Sequence, residues 1–402
     1  MTLRPGTGRY PELTAVRGLA ALAVVGTHAA YWTGRYQETT AGLVLARLDI
    51  GVSVFFALSG FLLVRPWLAS AAGAGEPPRL SRYARDRVLR IVPGYVVTVL
   101  AAYLLVDSPT GTGAGQLLRS LTLTQVYPGA EQHLGLTQMW SLAVEVSFYV
   151  LLPGVAVLLV RLAGPRRRLA LLAVLGAVTP LWWWLVRSAW SAAPPDTQYW
   201  LPGHLLWFVV GMALAVLAVG RESGRTRRGD GVAATPGSLW VLALAVFAVA
   251  STPLAGPATL VPSTAGAAVA KSLLYAAFGA ALLAPLVVGS GSALLGWLRW
   301  PPLLWLGRVS YELFLVHLVV IEFVMDGLGN PTFTGDTVTV FLVTLGVSLL
   351  LAAGLHGLLS RLTGRGGPPG AGRRGRPARP GSAAAPPAPA SRASTSPTPR
   401  RP

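Results

Sequence analysis

Long apolar stretches separated by short polar breaks dominate the pattern of the chain. A helix that crosses a bilayer core needs about 20 apolar residues, and the sequence contains ten runs of roughly this kind, broken by Arg-rich or Pro/Gly-rich segments. The runs cover residues 15–33, 48–66, 91–106, 138–160, 169–186, 203–220, 238–253, 268–289, 303–325 and 338–360. This pattern predicts an all-α, polytopic membrane helical bundle with about ten transmembrane helices.

The composition agrees with a membrane protein and excludes several chemistries. Of the 402 residues, 53% are hydrophobic and only 12% are charged, whereas about 25% are charged in a soluble domain. The chain contains no cysteine, which excludes thiol nucleophiles, thiolate metal sites and disulfides. P-loop, HExxH, GxSxG and Rossmann motifs are also absent from the sequence. We therefore expect no bound metal or cofactor.

The distribution of cations predicts the orientation in the membrane. The formal net charge is +18. If the N-terminus is cytoplasmic, 19 arginines ahead of the C-terminal segment lie on the cytoplasmic side. Five cations lie on the other side, namely Arg35, Arg47, Arg119, Arg187 and Lys271. Because cytoplasmic loops carry the excess of Arg and Lys, we predict a multi-pass protein of the cell membrane with both termini in the cytoplasm. The positive net charge then reflects the orientation of the chain in the membrane, and we expect no nucleic-acid partner.

The pattern divides the chain into a membrane domain, residues 1–362, and a tail, residues 363–402. The tail contains ten Pro, seven Gly and eight Arg and no acidic residue. Since it has little apolar surface to compensate the entropy of ordering, we predict a disordered basic cytoplasmic tail. A solubilising or topology-fixing extension and a contact with anionic lipid headgroups both stay open as its role.

Two ionisable residues of the first span are functional candidates, because such side chains are costly in a bilayer unless they face a bundle interior or a wet cavity. Arg17 and His28 are eleven residues apart, which places them on nearly the same helix face and about 16 Å apart along the axis. One face then carries a cation near the cytoplasm and an imidazole near the far side. The alternative is that His28 has a structural role only, with its hydrogen bonds satisfied in the bundle interior.

The fourth span begins with a polar stripe. Trp140 opens the span, and Ser141, Glu145 and Tyr149 follow at intervals of four residues, which places these three on one helix face. Pro153 should kink this helix and release the carbonyl of Tyr149 from its helical hydrogen bond.

The ninth span carries a second histidine. Ser310 and His317 are seven residues apart and hence near one face. With the topology above, His28, Glu145 and His317 lie at similar depths below the outer ends of their helices. We therefore expect these three titratable groups to form one site. The alternative is that each makes a private hydrogen bond to a neighbouring helix.

The connection before the third span is rich in arginine. Arg87 and Arg90 are three residues apart at the mouth of this span. Because guanidinium groups suit phosphate oxygens, we expect these two arginines to hold a phosphorylated cytosolic donor. The alternative is that these arginines reflect only the excess of positive charge in cytoplasmic connections.

Five segments, in order along the chain, resemble motifs of the acyltransferase-3 family of integral-membrane acyltransferases. These segments are residues 12–28, 51–63, 87–93, 140–145 and 310–317. Each segment is weakly specific by itself, and their shared order over residues 12–317 makes the resemblance strong. Ser53 stands where many members carry Asp, so an acidic role at that position is absent. No esterase-like domain follows the tenth span, so we expect the stand-alone form.

The resemblance implies transfer of an acyl group, acetyl first among the options, from cytosolic acyl-CoA as co-substrate to a hydroxyl of a glycan, glycolipid or macrolide. It implies that His28 is the catalytic residue and that Arg87 and Arg90 bind the donor. The chemistry agrees, because a neutral imidazole can accept the proton of a hydroxyl that attacks a thioester, and Glu145 can orient the ring. We predict His28 and Glu145 as catalytic residues. The residues that we expect to support them are Arg17, Trp140, Ser141 and His317.

Another class of function stays open from the residues alone. A transporter or flippase for a lipid-linked sugar would use the same buried charges as a polar path without covalent chemistry. The membrane-bound O-acyltransferases, which use a His/Asn pair, fit less well, since the sole Asn of the chain is Asn330, in a predicted loop.

Overall fold

The described part of the chain is built of helices joined by short connections. The computed structural model describes residues 10–190, 193–224, 236–258, 264–288 and 293–363, and no strand occurs within these ranges. The helices are α1 (Pro11–Trp32), α2 (Thr40–Ala46), α3 (Ile50–Ala71), α4 (Leu80–Leu105), α5 (Ala114–Leu121), α6 (Trp140–Arg161), α7 (Gly164–Trp184), α8 (Leu205–Glu222), α9 (Pro236–Ala250), α10 (Ala265–Val287), α11 (Pro301–Gly327) and α12 (Thr337–Leu362).

Local sequence explains where several helices begin. The side chains of Thr39, Thr264 and Asp336 accept hydrogen bonds from the first free backbone N–H groups of α2, α10 and α12. Proline occupies the first turn of α1, α7 and α11, where its missing N–H costs nothing. Such caps satisfy donors that a helix end would otherwise leave without partners.

Within the described ranges, eight helical segments are long and apolar enough to cross a membrane. They are Pro11–Trp32, Thr40–Ala71, Leu80–Leu105, Leu134–Arg161, Gly164–Ala189, Leu201–Glu222, Ala265–Val287 and Thr337–Leu362. Large apolar side chains on their outward faces are exposed, for example Leu104 (81%), Val150 (79%) and Leu350 (77%), as expected of surfaces that contact lipid. The predicted all-α membrane bundle is confirmed.

The other two predicted spans also coincide with helices. The apolar helix α9 has only 15 residues, and α11 has 27 but carries Arg308, Glu312, Glu322 and Asp326. The count of ten spans and the cytoplasmic position of the termini stay predictions. The predicted tail lies outside the described residues except for Thr363.

Two helices extend beyond what the apolar runs indicate. The arginine-rich connection before the third span is helical, because α4 begins at Leu80 and its arginines, leucines and alanines are good helix formers. Pro285 lies inside α10, which continues to Val287.

The bundle is organised around α1 and α3, which pack against each other. Helix α1 also contacts α11 and α12, and α3 contacts α6 and α8, with the most extensive contact between α3 and α8. Glycines allow that close approach. A Cβ atom at Gly211 would lie 1.8 Å from the Ala57 carbonyl oxygen, and one at Gly60 would lie 2.1 Å from that of Phe208.

We expect Gly211→Ala to destabilise the protein by about 1–3 kcal/mol, because the new methyl group overpacks a backbone contact between α3 and α8. Thermal unfolding in detergent measures the change. Gly154→Ala is the matched control, because a Cβ there meets no atom within 4 Å. Equal melting temperatures of the two variants would contradict the close approach of α3 and α8.

Candidate functional site

Two cavities follow one another along the bundle. The inner cavity, of about 220 Å³, is lined by polar residues of α1, α3, α4, α6 and α11 together with apolar ones. The outer cavity, of about 370 Å³, is lined by His28 of α1 and by residues near the opposite ends of the helices. Among the described residues, Val52 of α3 alone lines both cavities. With the predicted topology, the inner cavity faces the cytoplasm and the outer cavity faces the other side.

The inner cavity contains more cations than carboxylates. Arg17, Arg87 and Arg90 line it, and Glu145 is its single acidic residue. The Glu145 carboxylate accepts hydrogen bonds from the Ser59 hydroxyl and from the Tyr149 hydroxyl, the latter at 2.6 Å. The carboxylate therefore neutralises at most one of three guanidinium groups, and the cavity suits an anionic ligand.

Arg87 is held in place by an aromatic ring. Its guanidinium carbon lies 6.0 Å from the centre of the Tyr149 ring, within the range of a cation–π contact. The Nε atom of Arg87 is buried and has no hydrogen-bond partner within the described part of the chain. A buried donor without a partner is costly, which makes Arg87 a group prepared to bind a ligand oxygen.

Pro153 leaves the Tyr149 carbonyl free to accept a hydrogen bond from α4. Because proline has no N–H, the Tyr149 carbonyl lacks its helical donor, and the Tyr83 hydroxyl donates to it at 3.0 Å. Tyr83 lies one turn before Arg87 on α4. This hydrogen bond therefore fixes the arginine segment against the wall of the inner cavity.

His28 and His317 form a direct pair. His317 Nε2 lies 3.1 Å from His28 Nδ1, His317 Nδ1 lies 2.8 Å from the Phe314 carbonyl, and His28 Nδ1 lies 2.8 Å from the Val24 carbonyl. Carbonyl oxygens only accept hydrogen bonds, so both Nδ1 atoms carry hydrogens in the neutral rings. His317 Nε2 is then a second acceptor of the single His28 Nδ1–H, which it shares with the Val24 carbonyl. This assignment leaves the lone pair of His28 Nε2 free, on a ring that lines the outer cavity.

Aromatic side chains surround the outer cavity. His204 lies among Trp140, Trp183 and Trp207, with ring centres 5.0, 6.2 and 4.9 Å away. The indole N–H groups of Trp183 and Trp207 donate to the carbonyls of Gly203 and Ser272, both at 3.0 Å. These bonds fix the orientation of both rings.

Two tyrosines of the connecting segments also line the outer cavity, Tyr36 and Tyr199. Burial raises the pKa of Tyr36 well above its ordinary value and also raises the pKa of Tyr199. Both hydroxyls therefore stay protonated at neutral pH and serve as hydrogen-bonding groups.

Charged residues complete the wall of the outer cavity. They are Arg47, Asp49, Arg187 and Lys271. Lys271 Nζ lies 2.6 Å from Asp49 Oδ2, and the Tyr275 hydroxyl donates to the other Asp49 oxygen. The Arg47 guanidinium donates to the backbone carbonyls of Ala250 and Ala255 at 2.9 and 3.1 Å.

The expectation of a single site for His28, Glu145 and His317 was wrong. The structure brings the two histidines together, but Glu145 lines the inner cavity and its hydrogen bonds join it to Ser59 and Tyr149. The position of a residue along its helix gives its depth only relative to the ends of that helix. The offset between helices depends on their packing, and here Val52 of α3 stands at the boundary between the two cavities.

The other predicted site residues are divided between the cavities. Arg17, Arg87, Arg90 and Ser141 line the inner cavity, and Trp140 lines the outer one. The predicted stripe of Ser141, Glu145 and Tyr149 does share one cavity wall.

Sequence reasoning missed several residues of the site. Asp49 and Trp207 lie outside the five family-like segments, and Ser59 lies within the segment 51–63 without a role assigned to it. Arg187 and Lys271 contributed only to the charge distribution. Lys271 is the single lysine of the chain, and this was the one signal that pointed to it. Within the described residues, no group of three or more His, Asp or Glu side chains could hold a metal ion.

Comparisons with known proteins give one consistent result. The family model described as "Acyltransferase domain" matches residues 10–356. "Acyltransferase MdmB" of Streptomyces mycarofaciens is 31% identical over 343 residues, which cover 79% of this chain and 81% of the relative. "Putative peptidoglycan O-acetyltransferase YrhL" of Bacillus subtilis (strain 168) is 25% identical over 351 residues, 81% of this chain, and the chain spans about half (51%) of its length. No solved structure matches the chain at a significant level.

We expect the neutral His28 and His204 rings to be opposite tautomers. His28 should carry its hydrogen on Nδ1, whereas His204 should carry it on Nε2, which lies 2.9 Å from the Gln198 carbonyl. Nitrogen NMR of histidine-labelled protein, assigned with His28→Gln and His204→Gln, distinguishes protonated from unprotonated ring nitrogens. The same tautomer at both positions would contradict the hydrogen-bond assignment.

Proposed function

The chain belongs to the acyltransferase-3 family and is an O-acyltransferase, and from this premise we propose that it moves an acyl group from cytosolic acyl-CoA to a hydroxyl of a carbohydrate, glycolipid or macrolide-type acceptor at the cell membrane. The acetyl group is the first donor group to test. One observation carries the proposal, namely two cavities that meet at Val52, of which the inner one is cationic and the outer one contains a histidine with a free lone pair.

The inner cavity is the proposed donor site. CoA carries several phosphate groups, and Arg87 and Arg90 line, on the predicted cytoplasmic side, a cavity whose described cations outnumber its one carboxylate. Arg17 extends the positive surface deeper into the bundle. Glu145 then acts on the donor side, where it accepts hydrogen bonds from Ser59 and Tyr149 and limits the repulsion among the guanidinium groups.

The distance between the proposed donor site and His28 fits a donor with a long, flexible arm. Eleven residues of α1 separate Arg17 from His28, which corresponds to about 16 Å along the helix axis. A small acyl donor bound by the arginines would not reach the imidazole. In acyl-CoA, a flexible arm connects the phosphates to the thioester, and that arm would follow the inner cavity toward Val52.

His28 is the proposed general base. Its Nε2 lone pair takes the proton of the acceptor hydroxyl while the hydroxyl oxygen bonds to the thioester carbonyl carbon. When the tetrahedral intermediate collapses, the carbon–sulfur bond breaks, and the proton passes from His28 to the departing thiolate. The products are the acyl ester and free CoA, and His28 returns to its neutral form.

His317 is the proposed positioning residue for His28. Its own ring is completely buried, and the Phe314 carbonyl fixes its tautomer. It therefore presents a lone pair to His28 Nδ1–H, which keeps the base nitrogen free and stabilises the imidazolium that forms during the reaction. The same arrangement occurs when a carboxylate orients a catalytic histidine, but here a neutral ring takes that role.

The transporter alternative receives less support. Both relatives are named as acyltransferases, and a transport path does not require a base with a fixed tautomer. The name of the Bacillus subtilis relative specifies peptidoglycan, which supports a glycan acceptor, although the two chains share only about half of that protein's length.

We expect His28→Gln to abolish acyl transfer, with a loss of at least about 100-fold in kcat, because general bases contribute roughly 10²–10⁴-fold. The measurement is release of free CoA from acetyl-CoA by protein in nanodiscs, with and without a glycan and lipid extract. Binding of acetyl-CoA should be retained, since His28 lies outside the inner cavity. Unchanged turnover would refute the assignment. No release by the wild type with acetyl-CoA or longer acyl-CoAs would favour the transporter.

We expect Arg87→Gln to raise the KM for acetyl-CoA about tenfold, since a charge-assisted hydrogen bond to phosphate contributes about 1.5–3 kcal/mol. The matched control is Arg85→Gln, on an exposed position of the same helix that does not line the cavity. Initial rates at varied donor and fixed acceptor measure the effect. An increase in the acceptor KM alone, or equal effects of the two variants, would contradict the donor role.

A further inference from the structure

The outer cavity carries a charge pattern that acyl transfer by itself does not require. Arg47, Arg187 and Lys271 line it, against Asp49 as the one lining carboxylate. Asp49 is engaged by Lys271 at 2.6 Å and by the Tyr275 hydroxyl. The outer cavity is therefore cationic overall.

In the described part of the chain, Lys271 alone of these cations pairs with a carboxylate, Arg47 is occupied by backbone carbonyls, and Arg187 has neither kind of partner. Its guanidinium lies 5.7 Å from the centre of the Trp183 ring, and its Nη2 lies 3.5 Å from the Gln198 side-chain oxygen. Its Nε atom is buried and has no hydrogen-bond partner among the described residues. Glu38 accepts from the Ala258 N–H and does not line the cavity.

The position of these cations in the membrane is unusual. The topology places five cations on the outer side of the chain, and three of them line this one cavity. The positive-inside rule disfavours cations on that side, and an arginine near a membrane interior needs a partner or a wet cavity. Their concentration around one cavity indicates a ligand that supplies negative charge.

The remaining wall suits a sugar ring. Trp140, Trp183 and Trp207 line the outer cavity, and backbone carbonyls already occupy the N–H groups of Trp183 and Trp207. A ligand therefore meets the apolar ring atoms of these indoles where they line the cavity, and the C–H face of a sugar can pack against them. The Tyr36 and Tyr199 hydroxyls add polar contacts at the edge.

We infer that the outer cavity binds an anionic glycoside, whose sugar ring stacks on the tryptophans and whose carboxylate or phosphate group pairs with Arg187. The inference rests on the proposed function, because it identifies this ligand as the acyl acceptor and the hydroxyl near His28 as the acylated group. It narrows the acceptor from any hydroxyl compound to a negatively charged sugar.

Binding of three small probes to the full chain in nanodiscs tests the inference without acyl-CoA. The probes are methyl β-D-glucuronoside, a glucose phosphate and neutral methyl β-D-glucoside, and saturation-transfer NMR reports their dissociation constants. We expect at least one anionic probe to bind about tenfold more tightly than the neutral glucoside. The tighter of the two anions shows whether a carboxylate or a phosphate is preferred.

Arg187→Gln should remove the preference for the anion, and Arg187→Lys should retain most of it. The matched control is Arg119→Gln, since Arg119 is another outer arginine but does not line the cavity. Equal affinity of the wild type for all three probes, binding of none of them, or equal effects of Arg187→Gln and Arg119→Gln would overturn the inference. The binding assay contains no acyl donor, so its result does not depend on acyl transfer. If the protein prefers the anionic probe but releases no CoA from acyl-CoA, the proposed acyl transfer is refuted and the inferred binding site is not.

Discussion

Ionisable side chains are costly inside a hydrocarbon layer, and the rest of this structure is arranged around that cost. The apolar faces of the helices point outward and carry exposed Leu and Val side chains. Several arginines and carboxylates, together with His28 and His204, instead line two internal cavities. Each of these groups thereby has a partner, an aromatic ring or room for a ligand. For this reason, the two candidate sites lie where the burial of ionisable groups is most costly.

Helix α3 separates these two environments. Its glycine contact with α8 leaves no room for a side chain between the two backbones, so its position in the bundle is tightly determined. Val52 faces both cavities, and Phe56 stacks on Phe208 with ring centres 4.4 Å apart. A rigid, apolar partition of this kind keeps the arginines of the inner cavity apart from the outer histidine pair. It also limits the contact between the two cavities to a narrow apolar boundary.

The histidine pair shows how backbone groups determine side-chain chemistry. Neither His28 nor His317 contacts a carboxylate that would orient it; the Phe314 and Val24 carbonyls do so instead. A carbonyl in a helix can accept one additional hydrogen bond without loss of its helical partner. The tautomers therefore follow from main-chain positions that the helices themselves hold in place, which is a more rigid support than a flexible carboxylate.

The sequence by itself determined the helical architecture, the approximate bounds of the spans, the shared face of Ser141, Glu145 and Tyr149, and the family. These features depend on local periodicity and on motifs, which a single helix displays independently of its neighbours. Sequence spacing does not identify every partner. Buried Glu312 pairs with His356 of another helix at 2.9 Å, whereas Arg308, four residues before Glu312 on the same helix, is exposed.

Tertiary structure alone decided which groups meet across helices. It separated Glu145 from His28, joined His28 to His317, and brought Lys271 to Asp49 from a point 222 residues away in sequence. The physical reason is that the rotation and axial offset of one helix against another depend on close packing, such as the contact at Gly211, and a hydropathy pattern contains no record of those offsets.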